Sequence, residues 1–340
     1  MHKLKIGILG AGAAAATIHA PGIQANPQAE LAAIASRTPA HAAQLAAQFS
    51  IPQVYASYPE LLRDLQIEAV VICTPPHQHR ALAEMAVENS KHVLIEKPIA
   101  ARLADVAALK KIAQEGTLVV DVVRNQRFQD LYRRVKERLQ SGIIGEPNFI
   151  FITSTTSGPE HWNPAGTWLR DAALAGGGAL IDLGVHKVDL AAWILERAPT
   201  RISPAVLDRR PVEDIGWIHL QLGVVMASIL ASWKGPDEGS QVLVFGSAGS
   251  LRAFGSSGEV EIRLADKVLR EQVSIPWSAQ DLSAEKMIAD FVERCLAGQR
   301  FSEKELELWD TGTRVVLKAY QKATAVDRSS RTEDVNGREA

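Results

Sequence analysis

The sequence predicts an α/β protein of two units: a doubly wound parallel sheet, then an α+β domain on a large, mainly antiparallel sheet. Three observations predict this. Over residues 1–123, short apolar runs alternate with stretches rich in Ala, Leu, Glu, Gln and Arg, the pattern of βαβ units. The apolar runs are aliphatic on both parities, as strands buried on both faces must be. From residue 217 to 264 the runs follow one another with only Gly- and Ser-containing turns between them, which suits antiparallel pairing.

Length and composition narrow the classes. A chain of 340 residues fits two domains at about 100–200 residues each. Lys and Arg total 37 against 39 Asp and Glu, a net charge of -2, so no strong field draws the chain to nucleic acid or to an anionic membrane. A hydrophobic fraction of 46% with 22% charged residues supplies a sizeable core and excludes wholesale disorder. No apolar run is long enough to span a bilayer. The stretch 1–9 has no secretory h-region with a cleavage site, and a cytoplasmic location is expected. Cys73 and Cys295 make neither a disulfide framework nor a metal-ligand set, and no metal is expected.

In chain order, strands are expected at 6–9, 31–35, 69–73, 92–95 and 118–123, with helices at 38–49, 58–65, 79–89 and 103–115. These make the first domain, 1–123. The second, 124–326, opens with a basic amphipathic helix at 128–140, stopped by Ser141-Gly142, and a β-branched strand at 148–156. A Gly run opens a helix at 178–195. Strands follow at 217–222, 224–232, 241–245, 251–254 and 260–264, then helices at 284–296 and 303–325. The polar tail 327–340 is expected to be disordered.

Gly10-Ala11-Gly12-Ala13-Ala14-Ala15 follows the first strand and precedes a helix, matching G-x-G-x-x-G/A. Gly10 permits a tight turn, Gly12 lacks the Cβ that would block a pyrophosphate, and Ala15 allows close helix–strand packing. Free backbone N–H groups and the helix dipole then face the phosphates. After the second strand stand Ser36, Arg37 and Thr38, where NAD-binding chains carry Asp or Glu. Hydroxyls and a guanidinium suit a 2′-phosphate, so NADP is expected ahead of NAD. The alternative is that Ser36 and Thr38 cap the next helix and Arg37 is solvated.

Glu96-Lys97-Pro98 follows the 92–95 strand at the carboxyl edge of the sheet, where open α/β folds bind ligands. Lys97 there can hydrogen-bond a substrate oxygen and stabilise negative charge on it; the alternative is an ordinary surface lysine. Pro98 makes a corner whose peptide bond can take the cis form. Farther on, Asp182 and His186 lie four apart in the Gly-opened helix. They share a face and can hydrogen-bond, the carboxylate orienting an imidazole suited to general acid–base work. The alternative is a satisfied polar pair. Asp189 reads as structural.

On these residues the chain resembles the Gfo/Idh/MocA oxidoreductase family, named for glucose–fructose oxidoreductase and inositol dehydrogenase. The resemblance rests on Gly10-Ala11-Gly12, Thr74-Pro75-Pro76 with His79, Glu96-Lys97-Pro98 and the segment 176–186, in the family's order. Segments 141–147 and 244–251 look like family connectors. The resemblance implies a Rossmann domain followed by an α/β domain whose open sheet serves substrate binding and oligomerisation. It implies that Lys97, Asp182 and His186 form the catalytic group, and that Thr74, Pro75, His79, Glu96 and Pro98 line the cofactor cleft. It points to Arg127, Trp168 and Arg170 as substrate contacts, and to a homodimer or homotetramer. Departures are Ala15 for the third glycine, no acidic residue after strand two, and Glu196-Arg197 where a glycine is usual.

The expected activity is hydride transfer between a nicotinamide and a carbinol or carbonyl carbon of a sugar, polyol or related small molecule. Trp162, Trp168 and Trp193 offer apolar faces for a sugar ring, Trp193 more readly as core. Two other classes compete. One is an NAD-dependent glycosidase or lyase with transient redox and no net oxidation; the other is a nucleotide-sensing regulatory protein, which the presence of Lys97, Asp182 and His186 disfavours.

Overall fold

The structure, a computed structural model, describes residues 2–163, 166–235, 239–276 and 278–325. The tail expected from residue 327 lies outside the described residues. Aliphatic runs in the first third form β1 (Leu4–Leu9), β2 (Ala29–Ala35), β3 (Gln53–Tyr55), β4 (Ala69–Ile72), β5 (His92–Ile95) and β6 (Val120–Val122). All pair in parallel, in the order β3-β2-β1-β4-β5-β6. The order reverses between β1 and β4, so the loops leaving these two strands flank a crevice at the carboxyl edge. β3 was not expected; it is a three-residue edge strand with no buried residue to mark it.

The second unit carries a ten-stranded sheet in the order β15-β14-β13-β12-β7-β11-β10-β9-β16, with β8 also paired to β10. Its strands are β7 (Pro147–Thr155), β8 (Arg201–Ile202), β9 (Val206–Leu207), β10 (Ile215–Leu222), β11 (Val225–Ser232), β12 (Gln241–Gly246), β13 (Gly249–Phe254), β14 (Glu259–Leu264), β15 (Val268–Gln272) and β16 (Thr324–Ala325). Most pairs are antiparallel, as expected; β7 with β11 and β9 with β16 are parallel. One face, with Ile150, Ile152, Ile218, Leu220, Ile229, Val242 and Val244, is buried in one core with Leu131 and Val135 and with Val188, Leu190 and Ala191. Those partners come from the helices Asp130–Gln140 and Val185–Leu195. The opposite face is open and presents Phe149, Phe245, Met226 and Trp217 along registered strands.

One expected helix is broken in two. The 303–325 region is two helices, Glu303–Leu308 and Thr311–Gln321, followed by β16. The break falls where Trp309 turns into the core and its indole donates to the Val120 carbonyl at 3.0 Å, while buried Asp310 pairs with Lys110 and Arg314. The helix Ser283–Ala297 packs not on its own sheet but on the first one. Its Met287, Ile288, Phe291 and Val292 share a core with Ile6, Ile8, Ile34 and Leu94. No helix of the described residues is long and apolar enough to cross a membrane.

Candidate active site

A cleft of about 720 Å³ opens at the carboxyl edge of the first sheet and is closed from the other side by the second unit. The nucleotide loop forms one wall. Gly10 has φ +104°, and a Cβ there would lie 2.7 Å from the Cys73 carbonyl oxygen, so the β1 and β4 loops meet only because Gly10 has none. Gly12 is different: a Cβ would meet nothing within 4 Å. Its bare face opens where a pyrophosphate approaches the turn. Gly12, Ala13, Ala14, Thr74 and Pro75 all line the cleft, and the Thr74 hydroxyl is buried with no hydrogen-bond partner. An open glycine face beside an orphaned hydroxyl fits a dinucleotide.

The opposite wall is Glu96-Lys97-Pro98, with the Lys97–Pro98 peptide cis. Glu96 is buried, 2.7 Å from His19 Nε2, and accepts the Lys97 backbone N–H at 2.9 Å. Burial pushes its pKa up, but His19 and Lys97 outweigh that and hold it below the usual carboxylate value. His19 belongs to the turn that follows the nucleotide loop, so Glu96 ties the two walls together. The Lys97 ammonium donates to Asp182 Oδ1 at 2.9 Å and to the Asp182 carbonyl at 3.2 Å. The Trp233 indole donates to Asp182 Oδ2 at 3.0 Å. The Trp162 ring centroid lies 5.5 Å from Lys97 Nζ.

His186 lines the same cleft and has no hydrogen bond among the described residues. The expected Asp182–His186 hydrogen bond is therefore corrected: both Asp182 oxygens are taken by an ammonium and an indole. In a dry site a carboxylate prefers a fixed cation to a neutral imidazole. Burial, then the Lys97 and Lys187 charges, hold the His186 pKa well below its ordinary value. The ring is neutral at pH 7.

The helix bearing these groups begins at the Gly run with one wide turn, Leu180–Gly184, before the α-helix Val185–Leu195. Its start is held by Glu213, whose carboxylate accepts the N–H groups of Gly178 and Leu180 at 3.0 and 2.8 Å. A negative group at a helix N-terminus satisfies orphan donors and complements the dipole. A Cβ on Gly178 would stand 2.0 Å from the Glu213 carbonyl oxygen.

The comparisons with known proteins follow this geometry. Residues 4–123 match the description "Oxidoreductase family, NAD-binding Rossmann fold" of the Gfo/Idh/MocA family, and residues 132–252 match that family's C-terminal domain. The chain belongs to the Gfo/Idh/MocA family. It is accordingly an NAD(P)-dependent oxidoreductase acting on CH–OH groups. Within the family it is 26% identical to myo-inositol 2-dehydrogenase of Thermotoga maritima, over 86% of this chain and 83% of that protein. It is 27% identical to the NAD(+) scyllo-inositol 2-dehydrogenase of Bacillus subtilis, over 89% and 86%. In fold it is similar to KijD10, a 3-ketoreductase from Actinomadura kijaniata solved with NADP and TDP-benzene. That likeness has a TM-score of 0.83 at 24% identity and covers 96% of this chain and 99% of that one.

Several residues expected from the family pattern stand elsewhere. Arg127 does not line the cleft; its guanidinium is held bidentately by Asp189 at 2.8 and 2.6 Å. Gln126, its neighbour, lines the cleft instead. Arg170 is likewise outside, spent on Glu160 and Asp214 and stacked on Trp233, 4.7 Å from its ring centroid. Trp168 and Trp162 do line the cleft. His79 is buried behind it, its ring nitrogens 2.7 and 3.1 Å from the carbonyls of Thr74 and Ile99. Its burial and these two carbonyls tie it to the loops leaving β4 and β5. Gly10 and Ala11 form the turn beneath the cleft lining. The Ser36 hydroxyl accepts the Thr38 N–H at 3.2 Å, while Arg37 is exposed and has no ion pair among the described residues. Trp193 packs under Lys136, away from the cleft. Sequence reasoning missed Trp233, Gln126, Tyr132, Lys187 and Ser240, which carry no motif of their own.

Proposed function

We propose that this oxidoreductase moves a hydride between nicotinamide and a carbinol or carbonyl carbon of a sugar or polyol, with Lys97, His186 and Asp182 as the working groups. One observation carries the reading: an anchored ammonium and a neutral imidazole line the cleft that also contains the bare face of Gly12. The bound nicotinamide supplies the hydride acceptor or donor. The rest falls to side chains. In oxidation His186 takes the hydroxyl proton on a ring nitrogen. Lys97 has three N–H donors, and Asp182 engages two; the third is left for the substrate oxygen, where it offsets developing negative charge. Asp182 positions Lys97, and Trp233 positions Asp182. In reduction the proton returns from His186 to the carbonyl oxygen. Trp162 and Trp168 offer apolar faces to a ring.

Arg37 and Ser36 favour NADP, since no carboxylate stands ready for a ribose 2′-hydroxyl. The open sheet face, with Phe149, Phe245, Met226 and Trp217, supports a homodimer or homotetramer. Two free thiols, both off any disulfide, suit the reducing cytoplasm. The deciding experiment is turnover of a sugar and polyol panel by Lys97→Met and His186→Asn. Loss of about 10²–10⁴-fold in kcat is expected, the range for acid–base and electrostatic groups, with NADPH affinity nearly unchanged. Wild-type-like kcat in either variant removes the assignment.

A further inference from the structure

Lys187 is almost fully buried, 1% exposed, and lines the cleft beside His186. No carboxylate pairs with it among the described residues. Its three N–H groups go to neutral oxygens: Ser240 Oγ at 2.8 Å, Gln126 Oε1 at 3.0 Å and the Tyr132 hydroxyl at 3.2 Å. A buried ammonium without a counter-charge is strongly disfavoured, because it loses its hydration and gains no ion pair in return.

The hydrogen-bond valences show what that something is. An ammonium only donates, so Gln126 must present its carbonyl to Lys187, which leaves both amide N–H groups as donors. Ser240 and Tyr132 each accept from Lys187, and their hydroxyls are 2.9 Å apart. Whichever donates to the other, one hydroxyl hydrogen remains for an outside acceptor. Gln126, Tyr132 and Ser240 all line the cleft. The other carboxylates of the lining are engaged: Glu96 with His19, Asp182 with Lys97, and Asp281 with Gln129 Nε2 and the Ser283 N–H.

We infer that Lys187, Gln126, Tyr132 and Ser240 form a subsite for a carboxylate on the substrate, making the substrate a polyhydroxy acid such as an aldonate or uronate. This rests on the cleft being the substrate site of the proposed hydride transfer. One ammonium balances one negative charge, and the two oxygens of a carboxylate match the amide and hydroxyl donors. A phosphate dianion would leave a charge unmatched.

The test uses the NADP(+)-loaded enzyme with gluconate and glucuronate, their neutral counterpart glucose, myo-inositol, and glucose 6-phosphate. Affinity is read by calorimetry and kcat/KM by nicotinamide absorbance. The acids are expected to bind at least tenfold more tightly than the neutral compounds. In Lys187→Met that acid-to-neutral ratio should fall to near one, and Lys187→Arg should recover part of it. Gln126→Leu provides the same ratio should the lysine variant fail to fold. Equal affinity for acids and neutral compounds in the wild type overturns the inference, as does a preference that survives both variants or a preference for the phosphate. Neutral sugars oxidised without any acid preference sink the subsite and leave the hydride transfer standing. Acids bound tightly with no nicotinamide reduction do the reverse.

Discussion

His186 is the side chain whose charge the site controls most directly. Burial and two ammoniums oppose its protonation. The ring is thus a ready proton acceptor across neutral pH, and oxidation should stay level on passing below the ordinary histidine value of about 6.5. An NMR titration of the His186 ring should give a pKa below that value in the wild type and an upward move in Lys97→Met; an unmoved pKa contradicts the electrostatic account. The stability sign follows. The unfolded chain takes up this proton near pH 6.5 and the folded chain does not, so His186 weakens the fold as pH drops below about 6.5. Melting curves of His186→Asn should show less acid sensitivity than the wild type. At the ribose end, Arg37→Ala should weaken NADPH about tenfold or more, as for loss of a charged hydrogen bond, and NADH far less. Equal losses would remove the phosphate contact. Lys97, Asp182 and His186 were legible as residue types at family spacing. Their pairing was not, because the indole and the ammonium that claim Asp182 come from positions 233 and 97.

Among the elements, the Gly-opened helix depends on its first turn. Gly178→Ala puts a methyl into the Glu213 backbone. Overpacking of this kind costs about 1–3 kcal/mol, and here it also displaces Asp182. Chemical denaturation should show the stability loss and turnover should fall with it; a variant as stable and active as the wild type would rule out the cap. Ser50 ends the helix Pro39–Phe49 at φ +50°. A left-handed residue other than Gly costs about 1–2 kcal/mol, so Ser50→Gly should raise the melting temperature slightly. The long amphipathic helices were readable because burial repeats at a fixed period, and the central strands of the first sheet because they are apolar on both faces. The short strands β3, β8, β9 and β16 lack enough residues to show one. The 303–325 helix misled because its apolar period runs through Trp309, where the Val120 carbonyl and the pairs of Asp310 with Lys110 and Arg314 hold the turn.

For the whole molecule, the alternation of strands and helices sufficed to foresee a doubly wound parallel sheet, but not its edge strand β3 or the strand order 3-2-1-4-5-6. It could not tell which sheet the helix Ser283–Ala297 covers, since a hydrophobic stripe states that a face is buried and not against what. The open face of the second sheet gives the prediction at this scale. Phe245→Glu together with Trp217→Glu should reduce the mass seen by light scattering to that of one chain; an unchanged assembly would mean that this face is not the contact. The placement of Ser283–Ala297 carries one more consequence. Its Met287, Ile288 and Phe291 lie over Ile6, Ile8 and Leu94, so a fragment ending at residue 123 would keep every phosphate-facing glycine yet have a bare oily flank. Such a piece should aggregate and bind hydrophobic dyes. The cofactor half of this enzyme is not a portable cassette: it is finished only once residues 283–297 have been made and laid against it.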